Sequence, residues 1–286
     1  MDNLKGIAWM TLAMATFAMA DMFIVIASDS LPPGQIVVMF GLFGVPMLVT
    51  FAKLRGVPLV SPVFFSRPVV VRNLAEIWGT MAVITALANL PFSLVSAVLQ
   101  AAPLLVTLGA AIFLGERVGW RRWTAILVGL CGVLLILRPS PEAGWTILLA
   151  VIAVTGLSAR DLATRFVPRD IPSLQIACYG FASTIPAGIL LIAITGDAVW
   201  PNLAATGACF AAASFGAVAY FAITTAMRAG DISVVTPFRY TRLIFAFSIA
   251  ALVFGESLDL WTWIGSGIVI ATGLYTLARE ARTRRA

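Results

Sequence analysis

Five ionisable residues stand inside stretches that are otherwise apolar: Asp21, Glu76, Asp161, Arg239 and Arg242. A charge at the centre of a hydrocarbon layer costs at least about 2.5–3.5 kcal/mol unless it faces water or a partner, so each marks a place where function is expected. At 1.5 Å per residue, Glu76 lies about 12 Å into its segment and Arg239 and Arg242 about 10 and 15 Å into theirs, too deep to snorkel easily. The signs suit a zwitterion, with Glu76 facing an ammonium and one arginine facing a carboxylate across a central cavity. The plain alternative is internal: Glu76 pairs with Arg72 one turn away, and the arginines bond backbone carbonyls. Asp21 and Asp161 are candidates for carrying a coupling proton. Their alternative is helix-end solvation, with Arg160 as the neighbour of Asp161.

Uncharged polar groups extend this set. Ser93, Ser96, Gln100, Pro103 and Thr107 recur at helical spacing and form one polar stripe, which either faces the pathway or bonds neighbouring helices. Gln100, Tyr220, Tyr240 and Trp78 are expected to line the cavity, and Trp9, Phe221 and Phe238 are further aromatics available to clamp a side chain. Pro103 and Pro237 each free a carbonyl from the helical ladder, giving a kink that serves gating or packing.

The elements that hold these residues must be membrane helices. The chain has 286 residues, 60% hydrophobic and 11% charged, with a mean hydropathy of +0.99, against about 25% charged in soluble domains. A cytosolic enzyme or nucleic-acid module is excluded by that composition. There is no histidine, which removes His triads and His metal sites. Cys131, Cys178 and Cys209 lack disulfide or metal spacing. No cofactor or metal is expected, and without a Gly-x4-Gly-Lys-Ser/Thr loop, ATP-driven pumping is not expected either.

Gly, Pro and charge punctuation predicts ten spans, near 4–28, 33–52, 68–88, 92–114, 120–138, 144–164, 172–195, 202–227, 232–254 and 260–279. The first is read as a retained helix, not a cleaved signal. With the N-terminus inside, Lys5, Lys53, Arg55, Arg67, Arg72, Arg117, Arg121, Arg122, Arg165, Arg169, Arg228, Arg279, Arg282, Arg284 and Arg285 fall on one side and only Arg138 on the other. The positive-inside rule therefore predicts both termini in the cytoplasm. The tail arginines are read as the flank of the last helix, with anionic lipid as an alternative partner. Trp120, Trp123, Trp145, Trp200, Trp261 and Trp263 are expected at the interfaces.

The chain also repeats. Ala86 to Glu116 aligns without gaps on Ala226 to Glu256, matching Ser93 with Ser233, Ser96 with Thr236 and Gly115-Glu116 with Gly255-Glu256. In the same register Trp123 meets Trp263 and Asp21 meets Asp161. Five crossings per half make equivalent helices run in opposite directions, so the predicted fold is all-α and polytopic, with ten transmembrane helices as two inverted five-helix repeats. The halves are 1–140 and 141–286, together one transport domain. Gly129, Gly132, Gly265, Gly267 and Gly273 predict close helix approach, within one chain or across a dimer.

The run Ala86-Leu87, Leu94-Val95-Ser96-Ala97, Pro103-Leu104 and Phe113-Leu114-Gly115-Glu116-Arg117, with its weaker copy ending Phe254-Gly255-Glu256, resembles the tandem EamA repeats of the drug/metabolite transporter superfamily. The resemblance implies an inner-membrane exporter or exchanger of small polar metabolites in bacteria, nearest to YddG-type amino-acid exporters. In the second copy Arg239, Tyr240 and Arg242 replace the usual small residues and Pro, which marks a place for substrate choice. The expected function is alternating-access export or exchange of amino acids, aromatic or other neutral zwitterions, by a protein that is not an enzyme. The partners are the substrate and lipid, without nucleic acid. An aspartyl-protease-like enzyme using Asp21 and Asp161, or a receptor or assembly subunit, are the competing classes, though neither aspartate has the flanking motif such a protease needs.

Overall fold

The computed structural model describes residues 2–113, 119–138, 146–168, 170–229 and 232–283. Gly115, Glu116, Arg117, Trp145, Arg169, Arg284 and Arg285 lie outside the described residues, as do the side chains of Arg122, Arg228, Ser233, Arg279 and Arg282.

Helix α1 (Asn3–Ser28) starts at Asp2, whose carboxylate accepts from the Lys5 amide, and α2 (Pro33–Leu54) starts on a proline, whose missing N–H costs nothing in a first turn. There follow α3 (Arg67–Asn89), α4 (Phe92–Leu99), α5 (Ala102–Phe113) and α6 (Trp120–Leu137). The second half holds α7 (Ile147–Thr164), α8 (Ser173–Thr195), α9 (Leu203–Ala229), α10 (Ile232–Val235), a 3-10 segment (Thr236–Thr241), α11 (Arg242–Leu252) and α12 (Leu260–Thr283). With α4 and α5 taken as one span, 8 described helices are long and apolar enough to cross a membrane, and Trp123–Leu137 is a shorter apolar helix. The remaining crossing is the broken one, α10 to α11. The spans follow the predicted ones closely, but the fourth and ninth are interrupted helices where continuous, bent ones were expected.

Packing repeats the sequence symmetry. α1 packs on α9 and α3 on α7, which are the same pairing once the halves are exchanged, while α2–α8 and α6–α12 pair equivalent helices and α4–α11 joins the first part of the fourth crossing to the second part of the ninth. Lipid supplies no hydrophobic drive between helices, so close backbone approach and dispersion have to hold them. At the α3–α7 crossing, a Cβ on Gly156 would stand 2.7 Å from Gly79 Cα, so only glycine fits on both sides. The α6–α12 crossing uses Gly132 and Gly265 in the same way, which assigns those two to packing within one chain. Trp120, Trp123, Trp200, Trp261 and Trp263 are exposed, as expected of interfacial residues.

Candidate functional site

The two interrupted crossings lie at matching positions. In the fourth, the Gln100 and Ala101 amides reach back three residues, to Ala97 and Val98, and the helix restarts just before Pro103. In the ninth, Pro237 sits in the 3-10 segment. Each proline removes an N–H donor, and the tighter turns take up the displaced ladder. The Gln100 side chain crosses between the halves and donates to the Arg239 carbonyl at 3.3 Å. Irregular backbone at membrane depth is tolerated only inside protein or along a cavity, so this crossing is the place to look for a site.

Beside it runs a chain of alternating charge. Arg72 Nη2 donates to Glu76 Oε2 at 2.7 Å. Arg160 Nη1 donates to the other oxygen, Oε1, at 3.1 Å, which also accepts from Thr80 at 3.3 Å. Arg160 then grips Asp161 Oδ1 through Nε at 3.0 Å and Nη2 at 2.8 Å. Asp161 Oδ2 faces Arg239 Nη2 at 3.7 Å, an ion pair too long for a strong hydrogen bond. Side-chain exposure grows along the chain, from 3% at Arg72 to 18% at Arg160 and 34% at Arg239. Separately, Arg242 pairs with Asp21 across the halves and lies over the Phe17 ring. Four guanidinium groups against three carboxylates leave one positive charge in excess in this core.

An aromatic wall adjoins the charges through Tyr220. Its hydroxyl is 3.5 Å from Arg160 Nη1, and its ring meets Phe17 and Phe181 edge to face. Phe221 continues the wall against Trp9 and Phe51, and Phe238 packs against the same buried cluster, around Met10, Met14 and Val235, as Trp9 and Phe17 do.

The expected site residues divide accordingly. Asp161, Arg239, Tyr220 and Gln100 come together, whereas Asp21 and Arg242 form their own pair. Glu76, expected to face a substrate ammonium, has both oxygens taken by arginines and is buried; the internal pairing with Arg72 is the one seen. Trp78, expected in the cavity, is 65% exposed; two residues on from Glu76 in a helix, it points to the opposite side. Ser93, Ser96, Thr107 and Tyr240 are buried, Thr107 bonds back to the Pro103 carbonyl, and the hydroxyls of Ser96, Thr236 and Tyr240 have no partner among the described residues. Arg72 and Arg160 entered the sequence reading only as local partners, of Glu76 and of Asp161; that Arg160 also reaches Glu76 and joins the two pairs into one chain had no sequence signal beyond two adjacent ionisable residues deep in an apolar run.

Comparison with known proteins follows the geometry. The model of the EamA-like transporter family matches residues 4–138 and again 144–278. A riboflavin transporter of Rhizobium johnstonii is 30% identical over 72% of this chain and 68% of its own length. An S-adenosylmethionine uptake transporter of Rickettsia bellii is 23% identical over 97% and 94%, and a pseudopaline exporter of Pseudomonas aeruginosa is 25% identical over 99% of each. A crystal structure of 18% identity superposes over 98% of this chain and 99% of its own, with a TM-score of 0.68, a likeness of fold.

Proposed function

Because the chain belongs to the EamA-like transporter family and is a multi-pass membrane protein, we propose that it moves a small zwitterionic metabolite by alternating access, with the Asp161–Arg239 pair as the substrate contact. The loose 3.7 Å pair carries this reading. A substrate carboxylate inserted there meets Arg239 and its ammonium meets Asp161 Oδ2, so each charge of the zwitterion finds its opposite in the pair. Both groups are partly accessible, at 26% for Asp161 and 34% for Arg239. Glu76, Arg72 and Arg160 act behind them, holding Asp161 in place. Tyr220, with Phe17 and Phe181 behind it, offers a face to the substrate's side chain and favours aromatic amino acids.

The two repeats, 1–140 and 141–286, form one transport domain in this reading. Both termini are cytoplasmic in the inner membrane, from the distribution of Lys and Arg, and Asp21 and Asp161 are the carboxylates available for proton coupling. Export, rather than uptake, rests on the resemblance to amino-acid exporters. The aromatic wall also favours a second reading, an uncharged flat heterocycle such as the riboflavin carried by the Rhizobium relative.

Uptake of labelled amino acids and of riboflavin into proteoliposomes, with and without a pH gradient, separates these. Saturable flux of zwitterions, lost in their esters and decarboxylated analogues, is expected. Arg239→Ala should raise KM by roughly tenfold to a hundredfold with the fold retained, the order of a lost charge-assisted contact. Equal flux of esters and free amino acids would sink the zwitterion assignment, and flux of riboflavin alone would install the second reading. Absence of flux from folded, inserted protein for the whole panel would return weight to a receptor role.

A further inference from the structure

Glu256, of the repeated Gly-Glu pair, has no part in the charge chain, yet its geometry is specific. Helix α11 ends in a left-handed turn at Gly255, φ 63°, a conformation glycine adopts without cost. The Glu256 amide then donates back to the Ala250 carbonyl at 2.9 Å, satisfying one of the orphan carbonyls at the helix end. This turn throws the Glu256 side chain onto the opposite half. Its Oε1 accepts from the Phe92 amide at 2.7 Å and its Oε2 from the Ser93 amide at 3.0 Å, so one carboxylate satisfies two orphan donors of the first turn of α4. The Phe254 ring lies 5.4 Å from that of Phe92 and backs the grip.

Two more links between the halves gather at this end of the bundle. Gln35 makes a reciprocal pair with the Val199 backbone, at 2.7 and 3.0 Å, and Arg138 pairs with Asp259. The Glu256 grip differs from both because it holds the helix that carries Ser93, Ser96 and Gln100, and so the contact of Gln100 with the Arg239 carbonyl.

We infer that Glu256 is a bolt of the transport cycle: its carboxylate holds the α4 N-terminus while the Glu256 end of the pathway is shut, and lets go when that end opens. Rocking of two inverted halves must separate them at one end at a time, and a cap made by a side chain of the other half can be broken without unfolding either helix. Glu256 is thus a positioning residue, acting through α4 and touching no substrate. The inference rests on the transporter reading for its setting, but its test does not need the substrate.

The test uses full-length protein in nanodiscs, with Cys131, Cys178 and Cys209 replaced by Ala and one cysteine introduced at Ser96 or at Ser158. Ser96 is 1% exposed, one turn below the grip, while Ser158 is 4% exposed in α7 and bonds Val154 and Ala102 beyond the helix break. Alkylation by a charged, water-soluble maleimide is timed for each, with Glu256 intact, as Glu256→Gln and as Glu256→Asp. Glu256→Gln should speed labelling at position 96 by about fivefold or more, on the scale of a lost charge-assisted cap, and leave position 158 unchanged or slower. Glu256→Asp keeps the charge with a shorter reach and should fall between. Unchanged labelling at position 96 overturns the inference. So does equal acceleration at both positions with a lowered melting temperature, which marks Glu256 as a fold stabiliser only. Either result leaves the zwitterion assignment to its own flux measurements.

Discussion

Asp21 and Asp161 occupy matching places in the two halves, but their surroundings are unequal. Asp21 has one guanidinium partner, Arg242, and its side chain is 9% exposed. Asp161 shares Arg160 with Glu76, is 26% exposed and meets Arg239 only loosely. The third helices differ more sharply: α3 carries Arg72, Asn73 and Glu76, and the same register in α9 reads Ala212, Ala213 and Gly216. Repeat symmetry has thus preserved the path of the backbone, the crossing partners and the two helix breaks, while charge has collected along α3 and α7 and at Arg239. Two identical halves would offer the same site twice. The inequality leaves one tight, buried pair and one looser, more exposed pair, the one proposed above as the substrate contact.

The largest effect should come from breaking the charge-rich side. Arg160→Gln leaves Glu76 short of one partner and Asp161 with only its distant one, and removing one member of a buried ion pair costs about 3–5 kcal/mol. Folded yield and melting temperature should collapse, and Arg160→Lys should not restore them, because an ammonium cannot reach both carboxylates as a guanidinium fork does. Asp21→Asn strands a single charge and should cost less. Adding Arg242→Gln to it should recover part of the loss, as a double-mutant cycle would read out; a matching cycle with no coupling would contradict a closed pair.

The helix crossings sharpen the same contrast at smaller scale. Gly156→Ala forces a methyl into the Gly79 backbone and should cost about 1–3 kcal/mol of thermal stability, as overpacking does. At the equivalent place in α1 stands Thr16, already larger and buried at 7%, and Thr16→Ala should be milder than Gly156→Ala. A milder Gly156→Ala would show that the α3–α7 crossing is looser than its glycines imply. Least of all, Trp78→Leu should leave transport intact and stability within about 0.5 kcal/mol, as exposed substitutions do; a clear loss of flux would return Trp78 to the pathway.

Much of this was legible in the chain. Apolar run length sets the crossings, because about 20 helical residues span the hydrocarbon whatever lies beside them. The register that matches Gly115-Glu116 with Gly255-Glu256 and Asp21 with Asp161 gives the inverted repeat by odd crossing number alone. The depth of Arg239 and Asp161 marked them as costly, and therefore as candidates. These are properties of single helices against lipid, readable one segment at a time.

Partnership was not legible, because it is a property of two helices at once. The sequence favoured a substrate ammonium for Glu76 with Arg72 as the alternative, and only the approach of α7, permitted by Gly79 and Gly156, brings Arg160 to take its second oxygen. Pro103 and Pro237 promised bends, and the breaks at Gln100 and Thr236–Thr241 became tolerable only where the two crossings meet and Gln100 satisfies a carbonyl of the other half. Trp78 and Glu76 lie two residues apart, and helix phase against the neighbouring helices turned one outward and the other in. The sequence by itself determined how many times the chain crosses, that its halves are inverted and that ionisable groups lie inside the bundle. The tertiary structure decided which of those charges pair tightly and which only loosely, since Coulomb energy depends on distances that only packing sets.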